Sequence, residues 1–345
     1  MKTQVMLPDP QSITLAADLF KNGQLVGFPT ETVYGLGANA FNSDAVRSIF
    51  AAKGRPADNP LIVHIWNRSQ LDDLCEIPPL NVKLMDAFWP GPLTLLFPRK
   101  QTVPDVVTAG LSTVAIRMPS HPVAYEMLKA CNLPIAAPSA NLSGKPSPTR
   151  ASHVFKDMNG IIPLILDGGN CDVGLESTVV DVCHGQPTIL RPGGVTQEML
   201  ESVLGCQVAI AKSTLEPLAE GEKPLSPGMA YKHYAPTGSI VLITGEEQNV
   251  LSEMRRLVQA DTEYGFKSCV MCFTEHVEAL RDCHPHDFGS CHSDKEVAKR
   301  LFDILRQLDD EAMERIYSEV VFPEGMGLAV MNRLGRAAAF RTIKV

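Results

Sequence analysis

Two cationic side chains, Lys53 and Arg55, stand close together in the stretch AAKGRPADNPLIVHI, which spans residues 51–65. A structural interpretation exists, because cations near a helix C-terminus interact favourably with the helix dipole, by about 0.3–1 kcal/mol. A functional interpretation is an anion clamp, in which the lysine supplies a point charge and the arginine a two-pronged donor for phosphate oxygens. The spacing alone leaves both interpretations open.

Further polar side chains stand near the ends of apolar, strand-like runs, where a rigid sheet can direct several of them at one point. Arg117 is the most informative, since a guanidinium at the end of an apolar strand must find an anion or several carbonyl groups. A ligand carboxylate or an internal acid would satisfy it equally. His64 also ends such a run, a place where a histidine is more typically a hydrogen-bonded core residue. The other candidates of this kind are Thr32, Tyr34, Ser177 and Arg191.

Two stretches have the composition of ligand-binding turns. In FPTETVYGLG, residues 28–37, Gly35 and Gly37 allow either a tight turn or a close approach of the backbone to a ligand. The stretch APSANLSGKPS, residues 137–147, offers hydroxyls, an amide and backbone N–H groups, which suit phosphate. Plain turns have the same composition. The sequence contains no P-loop, nucleophile-elbow, HExxH or protein-kinase motif.

Cysteines and histidines near the C-terminus resemble a metal-binding pattern. They are Cys269, Cys272, Cys283, His286, Cys291 and His292. The first two fall in a predicted strand, where residues three apart point to opposite faces. One tetrahedral zinc ion cannot easily bind both thiolates. We therefore expect reduced thiols here and no metal held by the protein.

Hydrophobic periodicity predicts an α/β domain over residues 1–205. Apolar spacing predicts helices at 11–20, 43–53, 80–88, 122–130 and 196–204. The second of these has Ser43 as its expected N-cap and Gly54 as its expected C-cap. Strands are predicted at 25–28, 61–65, 93–97, 114–118, 133–137, 163–166, 178–182 and 188–190. Neighbouring strands near 163–190 have no helix between them, which predicts a mixed sheet.

The character of the sequence changes after residue 205. Residues 206–238 are rich in Lys, Glu, Pro, Gly and Ser and predict a linker. Beyond it, strands predicted at 239–243, 268–273 and 316–322 alternate with helices predicted at 248–259, 294–308 and 327–338. This alternation predicts a smaller, mostly parallel, Rossmann-like domain over 239–345. Because no GxGxxG follows its first strand, we do not expect a dinucleotide site there.

Composition restricts the function classes. The chain has 345 residues and a formal net charge of −8, and residues 1–205 and 240–345 each carry more acidic than basic side chains. Stable nucleic-acid binding is therefore not expected. Nine cysteines fit reduced thiols better than a disulfide framework. With no apolar run long enough for a membrane span and no signal-like N-terminus, we expect a cytoplasmic protein.

Taken in order, several stretches resemble the YrdC-like threonylcarbamoyl-AMP synthases. They are PTETVYGLG, KGRPADNPLIVHI, WPGPLTLLF, VAIRMPSHP, PIAAPSANLSGKPSPT, ESTVVDV, ILRPGG and SPGMAYKHYAP. The later GLAVMNRLGRAA looks like the two-domain form of this family, with a C-terminal Rossmann-like domain. The resemblance implies a twisted, mixed YrdC-like sheet. It also implies a nucleotidyl transfer in which L-threonine, bicarbonate and ATP give threonylcarbamoyl-AMP and pyrophosphate.

The resemblance assigns expected roles to individual residues. For L-threonine, the matching positions are Thr32, His64, Arg117, Ala137 and Ser177. The positions that match the family's catalytic tetrad are Lys53, Arg55, Ser139 and Asn141. These four are also expected to contact ATP, together with Asn59, Thr113, Ser147, Arg191 and Tyr234. The group that deprotonates the threonine amine is not indicated.

The resemblance also implies the cofactor and the partners. Mg²⁺ would be carried by ATP, consistent with the lack of a dedicated acidic cluster in the sequence. A downstream transferase would place the threonylcarbamoyl group on the adenosine beside the tRNA anticodon. Within the linker, Ser226, His233 and Tyr234 suggest a lid that excludes water, with a passive tether as the alternative.

Two other function classes remain to be weighed. YrdC-like folds have been regarded as double-stranded RNA binders, which the acidic charge of both domains disfavours. The carbamoyl-transfer domain of hydrogenase-maturation proteins is the other, but those chains carry acylphosphatase and zinc-finger segments that nothing in this sequence resembles.

Overall fold

The structure, a computed structural model, describes residues 2–215 and 234–345. These residues divide into two units, each with its own sheet. The first unit contains the described residues up to 143 together with 147–215, and the second contains 144–146 together with 234–345. The expected domain boundaries at 205 and 239 remain a prediction.

The described strands of the first unit form one mixed sheet. In chain order they are β1 (Gln4–Met6), β2 (Val26–Phe28), β3 (Gly35–Asn39), β4 (Ile62–His64), β5 (Leu93–Pro98), β6 (Thr113–Arg117), β7 (Ile135–Ala137), β8 (Leu164–Leu166), β9 (Thr178–Asp181), β10 (Thr188–Arg191) and β11 (Ala209–Ile210). Their order across the sheet is β1-β8-β2-β3-β7-β4-β6-β5-β9-β10-β11. β4 pairs in parallel with β6, whereas β5 and β6 are antiparallel. The predicted mixed α/β sheet is thus confirmed.

Helices connect these strands. In chain order they are α1 (Pro10–Lys21), α2 (Ser43–Lys53), α3 (Leu71–Leu74), α4 (Pro79–Phe88), α5 (Asp105–Thr108), α6 (Pro122–Cys131), α7 (Ala151–Met158), α8 (Gln197–Leu204) and α9 (Lys212–Leu215). In α2 the apolar face that the sequence indicates is buried, and Gly54 ends the helix in the left-handed conformation, at φ 60°. The predicted N-cap is wrong by one residue: Asn42, not Ser43, caps α2, and its Oδ1 accepts from the backbone N–H groups of Asp44 and Ala45.

Two sequence expectations change in this unit. Gly35 and Gly37 lie in strand β3 rather than in a turn, and a Cβ on Gly37 would come within 2.9 Å of Phe20, Phe28 and Ile135. The glycine therefore permits core packing, not an approach to a ligand. The stretch predicted as linker also begins with structure, since β11 pairs in parallel with β10. Residues 216–233 lie outside the described residues.

The second unit is built on a parallel sheet. Its described strands are β12 (Ser239–Thr244), β13 (Ser268–Cys272), β14 (Pro285–Asp287), β15 (Arg315–Ser318) and β16 (Thr342–Lys344), in the order β14-β13-β15-β12-β16. Every pair is parallel. The helices are α10 (Glu247–Glu263), α11 (Asp294–Asp310) and α12 (Gly325–Ala337). The predicted Rossmann-like alternation is confirmed, with β14 and β16 as strands that the sequence did not indicate.

The described helices and the cysteines can be compared with the sequence expectations about membrane spans and disulfides. Among the helices of the described residues, none has both the length and the apolar character that a bilayer span needs. All nine cysteines lie in the described residues and are unpaired thiols.

Candidate active site

The side chain of Arg117 lies buried at the end of β6, held on three sides by the fold. Its Nη1 donates to Thr32 Oγ1 at 2.7 Å, and its Nε donates to the carbonyl of Gly91 at 3.3 Å. Its Nη2 lies 2.6 Å from Oε1 of Glu31. The internal acid that the sequence allowed as a partner is therefore present. The two hydrogen bonds use the N–H of Nε and one N–H of Nη1, which leaves one N–H on Nη1, while Nη2 contacts Glu31 as an ion pair.

Glu31 is a buried carboxylate in the PTET stretch. Burial by itself raises its pKa, but the adjacent Arg117 guanidinium more than offsets this, so that the pKa lies below its usual value. The contact is an ion pair rather than an aligned hydrogen bond. Within the described residues, neither Arg117 Nη2 nor the Glu31 carboxylate oxygens have an aligned hydrogen-bond partner. The pair is thus charged, buried and incompletely hydrogen-bonded.

His64 stands next to this pair across the sheet. It is the register partner of Arg117 in the parallel β4–β6 pairing, and its Nδ1 lies 3.1 Å from the Ile62 carbonyl. Burial, reinforced by the positive charge of Arg117, lowers the pKa of His64 to about 3. At neutral pH the imidazole is therefore uncharged and does not repel the guanidinium.

Ser177 and Arg191 form a second group. Arg191 donates from Nε and Nη2 to the Ser177 carbonyl, at 3.1 and 3.0 Å, and from Nη2 to Ser177 Oγ at 3.1 Å. Ser177 Oγ also lies 2.8 Å from Thr94 Oγ1, and Thr94 is the β5 register partner of Arg117. A residue expected to bind threonine and one expected to bind ATP are therefore in direct contact.

The turn after β10 packs tightly on the segment that carries Ser177. A Cβ on Gly193 would lie 2.4 Å from the Glu176 carbonyl and 2.4 Å from the Thr178 backbone nitrogen, so only glycine fits there. On the same segment, Glu176 accepts a hydrogen bond of 2.5 Å from Ser147 Oγ. Ser147 is thereby tied to the residue that precedes Ser177.

Lys53 joins the end of α2 to the loop after β7. Its buried Nζ donates to the carbonyls of Ser139 and Asn141, at 2.5 and 2.6 Å, and lies 3.5 Å from Asn141 Oδ1. Three of the four expected catalytic residues therefore meet. In this arrangement Lys53 holds the loop in place by binding the loop's own carbonyl groups.

The same loop offers fewer backbone donors than its sequence suggests. The backbone N–H groups of Ala140 and Ser143 donate to the carbonyls of Tyr34 and Lys53, at 2.8 and 2.9 Å. That of Leu142 donates to Asp157 Oδ2 at 3.3 Å. These three N–H groups are satisfied within the fold, so a phosphate at this loop would meet mainly side chains and the remaining N–H groups.

Arg55 and Asn59 lie together in the turn before β4. Arg55 Nη2 donates to the carbonyls of Asn59 and Pro60, both at 3.2 Å. Asn59 is 1% exposed, and its Oδ1 is a buried atom with no hydrogen-bond partner among the described residues. Such an atom is costly unless a ligand satisfies it.

The other expected residues are placed as follows. Ala137 ends β7, and Thr113 begins β6, about 13 Å along the strand from Arg117. Tyr34 is buried, and its hydroxyl donates to the Gly169 carbonyl at 2.7 Å, so it is a packing residue. Tyr234 belongs to the second unit, where its ring stacks on Phe302 at 5.2 Å. Ser226 and His233, with most of the expected lid, lie outside the described residues.

The cysteine-rich segment of the second unit contains buried thiols and an exposed group of candidate metal ligands. Cys269 and Cys272 are buried in β13, and burial raises the pKa of each thiol to about 12. Ligand atoms of Glu275, Cys291 and His292 do lie within 4.8 Å of one another, but all three side chains are exposed.

The sequence reasoning missed three residues that hold the site. Glu31 pairs with Arg117, Thr94 contacts Ser177, and Glu176 accepts from Ser147. Glu31 and Glu176 lie inside the stretches PTETVYGLG and ESTVVDV. An acid next to an apolar strand needs a partner when it is buried, and this feature of the sequence could have identified both residues.

Two family models and several known proteins match the sequence of this chain. A family model described as Telomere recombination matches residues 18–193, and one described as Threonylcarbamoyl-AMP synthase, C-terminal domain, matches residues 195–339. The chain is 47% identical over 341 residues to a Bacillus subtilis protein named Threonylcarbamoyl-AMP synthase, covering 97% of this chain and 95% of that protein. A Pyrococcus abyssi protein of the same name is 45% identical over 343 residues, covering 96% of each.

A solved structure matches the whole fold. The crystal structure of Pyrococcus abyssi Sua5 complexed with L-threonine superposes with a TM-score of 0.92 at 43% sequence identity. The match covers 100% of this chain and 99% of that one.

Proposed function

We propose roles for individual residues from one premise: this chain belongs to the threonylcarbamoyl-AMP synthase family, which matches it over nearly its whole length. It is an enzyme, and its product is threonylcarbamoyl-AMP. We propose that it makes this product, with pyrophosphate, from L-threonine, bicarbonate and ATP. A transferase would then use the product to modify the adenosine next to the tRNA anticodon.

The observation that carries the threonine site is the buried guanidinium of Arg117. Its hydrogen bonds with the fold leave one N–H on Nη1, and Nη2, which pairs with Glu31, lacks an aligned hydrogen-bond partner among the described residues. Two N–H groups on adjacent nitrogens match the two oxygens of a carboxylate. We therefore assign the threonine carboxylate to Arg117.

The residues around Arg117 supply the remaining threonine contacts. Thr32 and Ser177 present hydroxyl groups, and the uncharged His64 can exchange hydrogen bonds without adding a charge. We also assign Ala137 to this site, a small residue at the end of β7 that lies opposite Ile62 of β4. Glu31 positions Arg117 by holding its Nη2.

The ATP site would use the groups around Lys53 and Arg191. Lys53 orders the loop that carries Ser139 and Asn141, and Arg55, in the turn before β4, supplies a second cation. Asn59 contributes a buried amide oxygen that a donor on the nucleotide would satisfy. Ser147, Arg191, Thr113 and Tyr234 complete the expected contacts. Mg²⁺ enters as part of MgATP, since Glu31, Asp157 and Glu176 at this site already have protein partners.

The chemistry then needs little covalent participation by the protein. Threonine's amine adds to bicarbonate with loss of water, and an oxygen of the resulting carbamate attacks the α-phosphorus of ATP in line. Pyrophosphate leaves as the P–O bond to it breaks. Positively charged groups that are already in place stabilise the developing charge without reorganising, which is the main contribution expected of Lys53 and Arg55.

A single-omission assay tests the function. Pyrophosphate release is measured with ATP, L-threonine and bicarbonate, and with each left out in turn, while mass spectrometry identifies the nucleotide product. We expect release and a threonylcarbamoyl-AMP mass only when all three are present. Pyrophosphate release that continues without threonine and bicarbonate would contradict the proposal.

We also propose a cytoplasmic location, which the nine unpaired thiols support.

A further inference from the structure

The second unit contains a cavity of about 210 Å³ at the carboxyl ends of its parallel strands. Its lining comes from the end of β12, from the first turns of α10, from the segments that follow β13 and β15, and from Cys291 in the segment after β14. The residues that matter here are Ile243, Glu247, Val250, Phe273, His276 and Glu319. None of them has a role in the proposed reaction.

The topology explains why a cavity forms at this place. The connection from β12 through α10 to β13 passes over β15, and that from β15 through α12 to β16 passes over β12. The two crossovers run in opposite directions, so right-handed connections place α10 and α12 on opposite faces of the sheet. In agreement, α12 packs against α11, whereas α10 packs against β12 and β13. Ligands of open α/β sheets bind in the crevice that such diverging connections leave.

The charged groups in this crevice are two carboxylates with an imidazole between them. His276 Nδ1 lies 2.9 Å from Glu319 Oε1, and His276 Nε2 lies 3.6 Å from Glu247 Oε1. Burial is the main reason that the pKa of Glu319 is raised, and Glu247 adds to the effect. Lys and Arg are absent from the described lining of the cavity. The local charge is therefore negative, which repels phosphates and carboxylates and attracts a cation.

Part of the remaining surface of the cavity is apolar, beside Thr244, Gly245 and Cys291. Ile243, Val250 and Phe273 form a hydrophobic wall beside the carboxylates. The volume corresponds to roughly seven water molecules, which is too small for a nucleotide and sufficient for a short hydrocarbon with one polar head.

We propose that the second unit binds a small organic cation in this crevice, with an ammonium or guanidinium head beside His276, facing Glu247 and Glu319, and a short apolar body against Phe273. Glu319 accepts from His276 and from the Phe273 backbone N–H at 2.8 Å. A carboxylate has about four acceptor positions, so it can accept further donors. The site is separate from the proposed reaction and does not depend on it.

A purely structural interpretation of the same residues makes a different prediction. Glu319 could serve only to tie the end of β15 to the segment after β13, through Phe273 and His276. A structural tie requires no ligand and shows no preference among added molecules. Selectivity for the charge of the head group therefore separates the two interpretations.

The test uses three probes of equal length, n-butylammonium, 1-butanol and butyrate, added to the full chain. The ring signals of His276 are followed by NMR and assigned with His276→Gln. We expect a saturable shift with butylammonium and none with butanol or butyrate. No saturable shift with butylammonium, or equal shifts with butanol, would overturn the proposal.

Variants locate the binding. Glu247 is 70% exposed, so Glu247→Gln should fold normally, and we expect it to weaken butylammonium binding about five- to tenfold. Glu319→Gln should weaken it at least as much. The matched control is Glu278→Gln, an exposed residue of the same segment, which should leave affinity unchanged. Equal affinity in wild type and Glu247→Gln would also overturn the assignment.

Discussion

Glu31 and Arg117 form a buried ion pair, with Oε1 and Nη2 2.6 Å apart and side chains that are 8% and 4% exposed. The pair joins the segment after β2 to the end of β6, and the adjacent Thr32 holds the same guanidinium. Because three contacts already orient Arg117, its remaining N–H groups are in position before any substrate arrives. If Arg117 binds threonine as proposed, the ion pair links the stability of the sheet to the recognition of threonine.

Replacing Glu31 by Gln should impair threonine recognition. Removing one member of a buried pair leaves an uncompensated charge, at a cost of about 3–5 kcal/mol in the free energy of unfolding. With Arg117 less firmly held, we expect KM for threonine to rise by at least about tenfold while KM for ATP changes little. Steady-state kinetics and urea unfolding measure the two effects.

An exposed ion pair of the same unit serves as the control. Arg68 and Asp86 lie 2.6 Å apart, but their side chains are 40% and 63% exposed. Asp86→Asn should cost at most about 1 kcal/mol and leave both KM values unchanged. If Glu31→Gln behaves like Asp86→Asn, Glu31 does not position Arg117.

Lys53→Ala should reduce kcat by at least about a hundredfold. The substitution removes a cation and the two hydrogen bonds that order the Ser139–Asn141 loop. Lys129→Ala removes an exposed lysine from α6 and should leave kcat unaffected. Single-turnover kinetics of wild type and both variants provide the comparison, and a Lys53→Ala enzyme with wild-type kcat would exclude the assigned role.

The stability of the first unit should decrease with acid because of His64. Its pKa is about 3 in the folded protein and 6.5 ordinarily. Between these values the unfolded chain binds a proton that the folded chain does not, so stability is lost as pH falls from 6.5 towards 3. One group contributes at most about 1.4 kcal/mol per pH unit. Urea unfolding at about pH 7 and about pH 5 should show a smaller decrease for His64→Gln than for wild type. Equal decreases would contradict the buried, uncharged state of His64.

Gly193→Ala should disturb the segment that carries Ser177. The added Cβ would meet backbone atoms at 2.4 Å, and backbone cannot yield as a flexible side chain can. We expect a loss of stability of about 1–3 kcal/mol and weaker binding of threonine. Gly185→Ala is the comparison, because a Cβ there meets nothing within 4 Å and only the positive φ of 86° opposes it. Thermal unfolding and threonine titration are measured for both variants. A larger loss of stability and of threonine affinity in Gly193→Ala than in Gly185→Ala indicates a clash with the Ser177 segment and not backbone strain alone.

Local patterns predicted much of the fold. The periodicity of α2 and α11 and the alternation after residue 239 identify helices and a parallel sheet, because amphipathic spacing is a property of neighbouring residues. β3 was missed because GLGAN contains two glycines, which disfavour strands, and is stabilised by packing against Phe20, Phe28 and Ile135. The strand order of the sheet depends on pairings between distant segments, which no local pattern specifies.

For the candidate site, the sequence indicates individual residues but not the groups that they contact. Arg117 was identified from its place in an apolar strand, but the choice of Glu31 as its acid depends on a contact between residues far apart in the sequence. Charge and spacing made Lys53 a candidate and left a helix-dipole role open, whereas the carbonyl groups of Ser139 and Asn141 that it binds are set by the folded loop. Sequence indicated the chemistry, and tertiary structure determined which groups meet.

The central claim, that the buried Arg117 fork binds the threonine carboxylate, is tested most directly by calorimetric titration of L-threonine into wild type and Arg117→Lys. Lysine keeps the charge but loses the two-pronged donor. We predict at least a tenfold weaker Kd for the variant, with folding checked by circular dichroism. An unchanged Kd in the folded variant would contradict the account.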